Sequence, residues 1–340
     1  MGSEQPEVDI GREVRFAIVM YGGVSLAIYI NGVAQELYRM VRATAVASDD
    51  ATKPLLSSAE LRGTKRVYRN LGKRSHPGAV GGPDDAEGPI RTRFVVDVLS
   101  GTSAGGINDV YLAKALANNQ KFDALKRLWI EEGDVQRLIN DKEAAERAGI
   151  EAQKPPRSLL SSIFMYRNLF DALQSMDGEE AGGKTARYSL VDELDLFVTV
   201  TDVVGLPLTL RLLDKPVSEK RYRNVLRFRY DGGRTGRPLN NFRKEYNPLL
   251  AFAARATSAF PFAFEPMELA EADDILREPI AQEVRWKEFF PAYGGPLGSP
   301  SGYEARALVD GGYLDNKPFG YAIDTLASRR SGVTVERKLL

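Results

Sequence analysis

The 340-residue sequence contains no cysteine and a single histidine, His76. The absence of cysteine excludes disulfide bonds, thiolate metal sites and a cysteine nucleophile, and it is consistent with a cytosolic protein. One histidine cannot form the histidine clusters that bind catalytic metals, so no such metal site is expected. If the protein is an enzyme that needs a general base other than His76, that base must be an Asp, Glu or Lys side chain.

Net charge and long apolar runs are also absent. The 46 basic and 46 acidic residues cancel, so no global field indicates nucleic acid as a partner. No apolar run approaches the roughly 18 to 20 residues that span a bilayer, and the polar N-terminus has no signal-peptide pattern. We therefore expect a cytoplasmic protein. The final residues, SGVTVERKLL, are typical of a strand with no closing element after it, which suggests the front part of a longer protein.

Strand and helix patterns alternate along the chain. The segments VRFAIVM at 14–20 and FVVDVL at 94–99 are short and rich in β-branched residues, which predicts buried strands. Helical spacing follows each of them, and alternating strand patterns return from residue 195. These patterns predict one α/β domain over residues 14–340, a sandwich around a central, partly parallel sheet, with helical and loop insertions.

Residues 41–93 interrupt this order. Six Lys or Arg and no acid lie from Arg62 to Arg74, and the segment PGAVGGPDDAEGP is crowded with Gly and Pro. We interpret the region as an insertion with a solvated basic helix, which is favoured over a helix that contacts anionic lipid headgroups. The apolar segment at 158–173 is interpreted as core, in preference to a lipid-facing lid.

The segment Gly101-Thr102-Ser103-Ala104-Gly105 matches G-x-S-x-G between a predicted strand and a predicted helix. Gly101 and Gly105 permit a sharp elbow that lifts Ser103 to the edge of the sheet. The N-terminus of the following helix favours developing negative charge there. The pattern therefore favours Ser103 as a nucleophile over a turn that merely needs small residues.

A serine nucleophile needs an activating base. His76 lies between a basic run and a glycine-rich tract, which disfavours it. Asp310 ends a predicted strand before Gly311-Gly312, the kind of position where α/β sheets carry functional carboxylates. A turn-capping role is the alternative for Asp310, and Asp231 in a second Asp-Gly-Gly is interpreted as a plain surface turn.

Gly22 and Gly23 follow the first predicted strand and precede a predicted helix. Such a turn can offer backbone N–H groups to an oxyanion, or it can cradle a phosphate. It lacks the lysine of the phosphate-binding P-loop, and the G-x-G-x-x-G pattern is absent there. Nucleotide binding is therefore disfavoured.

Together these motifs resemble the patatin-like phospholipase family, in particular a divergent bacterial branch, over roughly residues 14–325. GTSAGG at 101–106 and ARATSAFPFAFEP at 254–266 are similar to two blocks of that family. The resemblance implies a three-layer α/β/α sandwich with a central, mostly parallel sheet. It also implies a lipid acyl hydrolase that uses a Ser-Asp dyad, with Ser103 as nucleophile and Asp310 as base. Such a dyad needs no histidine.

The resemblance further implies reaction through an acyl-enzyme, with no metal or organic cofactor. A phospholipid or another acyl ester would be the substrate, and the protein would contact the membrane surface at its periphery. The backbone donors of the oxyanion hole would be Gly22, Gly23 and Val24.

The oxyanion turn departs from the family pattern G-G-G-x-[Arg or Lys]-G, because Val24 and Leu26 replace the third glycine and the basic residue. Two alternatives therefore stay open. One is a patatin-like module that binds lipid or a partner protein with little or no turnover. The other is a Ser-His-Asp esterase that uses His76.

Overall fold

The computed structural model describes residues 6–47, 50–75, 88–121, 123–132, 138–149, 155–178, 189–211, 216–233, 236–281, 283–293 and 302–340. Within these ranges, seven strands form one mixed sheet. The strands are β1 (Val8–Met20), β2 (Ile90–Gly101), β3 (Glu193–Arg211), β4 (Pro216–Asp231), β5 (Leu239–Asn240), β6 (Leu308–Asp310) and β7 (Thr334–Leu339).

Helices cover both faces of this sheet. In chain order they are α1 (Ala27–Thr44), α2 (Thr64–Arg74), α3 (Ala104–Asn118), α4 (Asp123–Arg127), α5 (Lys142–Ala148), α6 (Ser162–Gly178), α7 (Asn247–Thr257), α8 (Glu271–Leu276), α9 (Gly312–Asp315) and α10 (Phe319–Ser328).

The strands are ordered β5-β4-β3-β2-β1-β7, and β6 pairs with β3 beyond the end of β2. Strands β7, β1, β2 and β3 run parallel to one another, whereas β4, β5 and β6 are joined through antiparallel pairings. A central, mostly parallel sheet flanked by helices confirms the predicted α/β fold class. The carboxyl ends of β1 and β2 lie together at one edge, where such sheets place their sites.

Alternate side chains of β1 enter two apolar layers. Phe16, Ile18 and Met20 pack into the larger core with residues of α1, α3, α6 and α7. Ala17 and Val19 face the other way and pack with residues of α10. Because a strand with both faces covered has no polar side, the sequence of β1 is almost continuously apolar where it is central.

Both leading strands are longer than their apolar runs predict. β1 begins at Val8 and β2 at Ile90, and these two residues are partners in the parallel register. Polar side chains interrupt the apolar pattern in the first residues of both strands, so hydrophobic periodicity does not detect where the strands begin. Part of the segment expected as an insertion therefore belongs to the sheet.

Helix α2 within residues 41–93 is solvated on one face and packed on the other. Arg66 and Val67 are exposed, whereas Arg69 is buried and its guanidinium donates hydrogen bonds to the carbonyls of Ala43 and Leu56. The expectation of a purely solvated basic helix thus holds for only part of its surface, because one of its cations ties α1 to the following loop.

On the face of the sheet that α10 covers lies a cluster of charged side chains, most of them buried. Arg15 donates to Asp97 at 2.6 Å, to Glu13 at 2.9 Å and to Glu193 at 3.1 Å. Arg329 donates to Glu193 at 2.8 Å. Burial raises the pKa of Asp97 to about 6, although the charges of Arg329 and Arg15 act to lower it.

Candidate active site

Ser103 lies in the turn between β2 and α3, with φ 54° and ψ −127°. This backbone conformation is sparsely populated by residues other than glycine, and a strained strand-to-helix turn is typical of nucleophile elbows. The N–H of Ser103 donates to Thr257 Oγ1 at 2.9 Å, and the Thr257 hydroxyl donates to the carbonyl of Thr199 at 2.7 Å. Helix α7 and strand β3 therefore hold the strained turn in place.

Gly101 and Gly105 let the elbow pack without a gap. A Cβ atom on Gly105 would overlap the carbonyl group of Met20 at the end of β1, and one on Gly101 would overlap the Asp109 carboxyl group. Only glycine permits approaches this close. The packing sets the N-terminus of α3, which begins at the next residue, directly against Ser103.

Asp310 is the last residue of β6 and pairs with Val200 of β3. Its side chain is buried, and its Oδ1 accepts a hydrogen bond from the N–H of Gly312 at 2.7 Å. The Ser103 side chain lies close enough to this carboxyl group to influence it, and both residues line the same cavity. Two residues more than 200 positions apart in the sequence are therefore brought together at the same edge of the sheet.

Burial raises the pKa of Asp310 above the ordinary value of an aspartate, while the nearby Ser103 hydroxyl, the hydrogen bond from Gly312 and the charge of Arg255 lower it. A carboxylate with a raised pKa is a better proton acceptor for a hydroxyl group than an exposed aspartate. The pair has the chemistry of a nucleophile and its base.

Arg255 stands behind this pair as a buried cation. Its guanidinium is fully buried and stacks 4.1 Å over the ring of Phe264, and its nitrogens form no hydrogen bond with the described residues. Burial lowers the pKa of Arg255 to about 10, and the charges of Glu265, Glu271 and Asp310 act to raise it. Sequence reasoning did not select Arg255, although an arginine inside the apolar stretch LLAFAARA was a visible signal.

Arg255→Met should move the acid limb of the pH–rate profile to higher pH. If Asp310 acts as the predicted base, it must be ionised to work, so activity should be present above its pKa and lost as the pH falls through it. Removing the cation removes one of the effects that lower this pKa. The measurement is kcat/KM against pH for a soluble ester.

Arg91→Met is the matched control, since Arg91 pairs at the surface with Asp9. Its acid limb should coincide with that of the wild type. An acid limb that stays in place in Arg255→Met would show that the buried cation does not act on Asp310.

The turn that follows β1 lies beside the nucleophile. A Cβ atom on Gly22 would be 2.8 Å from Ser103 Cβ. The N–H of Gly22 donates to Asn316 Oδ1 at 3.0 Å, whereas the N–H of Gly23 finds no acceptor within the described ranges. Val24 begins a short 3₁₀ helix that leads into α1.

The other sequence candidates are placed elsewhere. His76 lies outside the described residues. Asp231 pairs with Glu193 at the start of β3, the opposite end of the sheet from Ser103, and its Oδ1 accepts a hydrogen bond from Gly233 N–H at 2.8 Å. It lines a separate, polar cavity of about 510 Å³. The two Asp-Gly-Gly segments thus differ in which end of the sheet they occupy.

A cavity of about 730 Å³ opens beside Ser103 and Asp310 and is also bordered by Gly22, Gly23 and Asn316. Its volume is within the range of small-molecule sites. Most of the remaining wall is apolar, with Ile107, Leu128, Leu138, Leu160, Met165 and Phe264 among its residues. The segment at 158–173 accordingly contributes both to the core and to this wall. An apolar chain can lie in the cavity with a polar group at Ser103.

The sequence model of the family described as "Patatin-like phospholipase" matches residues 76–323. The match includes Ser103 and Asp310 and begins after the turn at 22–24. The "Uncharacterized membrane protein Rv3479" of Mycobacterium tuberculosis (strain ATCC 25618 / H37Rv) is 27% identical over 347 residues, which cover 98% of this chain and 28% of that protein. The chain thus spans 28% of the relative's length. Among the described helices, none is both long and apolar enough to cross a bilayer.

Proposed function

Because the chain belongs to the patatin-like phospholipase family, whose members are lipid acyl hydrolases, we propose that it hydrolyses lipid esters with Ser103 and Asp310 as a catalytic dyad. The observation that carries the proposal is the placement of Ser103, on its strained elbow, beside the buried Asp310 carboxyl group in the wall of one cavity. This pair lies at the wall of an apolar cavity, where an acyl chain would be held with its ester at Ser103.

In the first step, Asp310 accepts the hydroxyl proton of Ser103 while Oγ attacks the ester carbonyl carbon. The electron pair of the C=O bond moves to the oxygen, and this oxyanion is stabilised by the turn at 22–24 and by the N-terminus of α3. As the tetrahedral intermediate collapses, the bond to the leaving alcohol breaks. The alcohol takes the proton from Asp310, and the acyl group remains as an ester on Ser103.

In the second step, water replaces the alcohol. Asp310 accepts a proton from the water as its oxygen attacks the acyl-enzyme carbonyl. The bond to Ser103 Oγ then breaks, and Oγ recovers the proton from Asp310. The products are a free carboxylic acid and the original enzyme, so protons and electrons balance over the cycle.

The test uses the purified chain with two substrates and one probe. Hydrolysis of phosphatidylcholine vesicles and of p-nitrophenyl butyrate is measured side by side, and an active-site fluorophosphonate is located by mass spectrometry. We expect fatty acid release and labelling at Ser103, with unchanged labelling in the exposed-serine control Ser218→Ala. Absence of both labelling and hydrolysis would instead support a lipid-binding or partner-binding module without turnover.

The proposed substrate also accounts for the apolar surface around the cavity. Phe260 and Tyr313 line the cavity and are 54% and 53% exposed, and Leu159 and Phe262 are 63% and 91% exposed. The last two lie close together, since Leu160 N–H donates to the carbonyl of the residue after Phe262 at 2.8 Å. We infer that this apolar rim rests on the surface of a phospholipid bilayer, because it continues the surface that would hold the acyl chain.

Phe262 is the most informative residue of the apolar rim. Its φ is 67°, a left-handed conformation that is unfavourable for a bulky side chain. Neither burial nor backbone preference explains a phenylalanine here, since its ring is almost entirely in solvent. Contact with lipid gives the ring an apolar environment that the folded chain alone does not.

Phe262→Asn should weaken vesicle binding and the hydrolysis of vesicle phospholipid by about tenfold or more. This is the effect expected when one large apolar side chain is no longer buried in the bilayer surface. Asparagine tolerates the left-handed backbone, so the fold is preserved. Hydrolysis of p-nitrophenyl butyrate should be unchanged. Cosedimentation and the two hydrolysis assays measure these effects.

The control is Ile323→Asn, because Ile323 is 50% exposed and lies on α10, on the opposite side of the sheet. It should retain vesicle binding. An equal loss on both substrates in Phe262→Asn, or unchanged vesicle binding, would contradict the inference about the apolar rim.

A further inference from the structure

Asn316 has a fixed orientation next to the oxyanion turn. Its Oδ1 accepts the hydrogen bond from Gly22 N–H at 3.0 Å. Because a backbone N–H requires an acceptor, this bond identifies the amide oxygen and leaves Nδ2, a double donor, at the other end of the side chain. Nδ2 donates to no residue in the described ranges, and Asn316 is exposed where it borders the cavity.

The Asn316 amide also lies between the two members of the dyad. A Cβ atom on Gly22 would be 2.8 Å from Asn316 Oδ1 and 2.8 Å from Ser103 Cβ. A Cβ atom on Gly312 would be 2.9 Å from Asp310 Oδ1 and 3.1 Å from Asn316 Oδ1. Asn316 is thus a neighbour of both the nucleophile and the base.

The backbone before Asn316 is anchored to both sides of the site. The Thr102 hydroxyl, one residue before the nucleophile, donates to the carbonyl of Asp315 at 2.8 Å. The N–H of Asp315 donates to the carbonyl of Gly311, one residue after the base, at 2.8 Å. Donors held in place before the reaction are the ones that stabilise developing charge effectively.

We propose that Asn316 is a catalytic residue whose Nδ2 donates a hydrogen bond to the oxyanion, a role that rests on the proposed Ser103–Asp310 mechanism. Gly22 N–H is already bonded to Asn316 Oδ1, so the turn after β1 offers fewer free backbone donors than its glycines suggest. The side-chain amide replaces the donor that this hydrogen bond occupies, and Gly22 serves to orient it.

The test compares two substitutions of similar shape. Asn316→Asp keeps an oxygen that accepts the Gly22 hydrogen bond but has no donor when ionised, whereas Asn316→Leu has neither group. If Nδ2 binds the oxyanion, both should reduce kcat by about 10²- to 10³-fold with little change in KM. Both should also weaken inhibition by a trifluoromethyl ketone, which forms a tetrahedral adduct with the serine. Asn70→Asp on α2 is the control and should match the wild type.

The outcomes separate the possible roles. If Asn316→Asp retains kcat within about threefold while Asn316→Leu loses it, Asn316 only positions the turn and the proposal is wrong. If neither variant loses activity, it is wrong as well. Wild-type protein that hydrolyses no ester would refute the proposed function itself, an outcome visible before any Asn316 variant is assayed. Circular dichroism and thermal melting identify any variant that fails to fold.

Discussion

Ser103→Ala and Asp310→Asn should each reduce ester hydrolysis by at least about 10⁴-fold, the scale expected when a nucleophile or its base is removed. Ser103→Ala removes the proposed attacking oxygen and nothing that supports the elbow, because the elbow is held through the backbone N–H of Ser103. Asp310→Asn preserves an oxygen for Gly312 N–H but cannot accept the serine proton. Both variants should therefore fold normally.

The measurements are kcat/KM on p-nitrophenyl butyrate and on phospholipid vesicles, with thermal melting as the check on folding. Asp231→Asn is a matched control, because it alters the same Asp-Gly-Gly motif at the opposite end of the sheet. Wild-type turnover in Ser103→Ala or Asp310→Asn would eliminate the dyad. His76→Ala should be almost as active as the wild type, and a large loss there would favour the Ser-His-Asp esterase.

Arg15→Met should lower the free energy of unfolding by about 3 to 5 kcal/mol, the cost of breaking a buried ion pair by removing one partner. Arg15 is almost inaccessible to solvent, and its guanidinium is bonded to Asp97, Glu13 and Glu193. Without it, those carboxyl groups lose a hydrogen-bond donor and a compensating charge in a region with little water. Methionine has nearly the same side-chain volume as arginine, so the loss of stability reports on the missing charge and hydrogen bonds.

Urea denaturation measures this effect, and Arg91→Met again supplies the comparison. Arg91 and Asp9 are paired at the surface with side chains 43% and 55% exposed. Exposed pairs contribute about 0 to 1 kcal/mol, so this variant should unfold almost like the wild type. Equal free energies of unfolding for the two variants would show that the cluster around Arg15 does not stabilise the face of the sheet that α10 covers.

The sequence predicts the layers of this fold better than its boundaries. Hydrophobic alternation locates β1 and β2 where both faces are buried. The same pattern does not detect the beginnings of these strands at Val8 and Ile90, because backbone pairing with a neighbouring strand needs no apolar side chain. Arg69 shows the same limit from the other direction, since a cation in a basic run is buried by two carbonyl groups that only tertiary structure brings near.

The candidate site divides in a similar way. Ser103 and Asp310 are recognisable because strand-end elbows and turns require a local pattern of glycines. Thr257, Arg255 and Asn316 have no such pattern. Their roles depend on what lies opposite them, a backbone N–H, a carboxyl group or another turn, and these neighbours are distant in the sequence. The sequence contains all of these residues, but it does not show which of them are in contact in the folded protein.

The position of β1 has a consequence for how the protein forms. The outer edge of β1 is covered by β7, which follows it by more than 300 residues in the sequence. Until β7 has been synthesised, β1 is an unprotected, apolar edge strand beside β2 and can pair with other chains. Long-range parallel pairing is also slow to form. We therefore expect the nascent protein to depend on chaperones for longer than its compact native state would suggest.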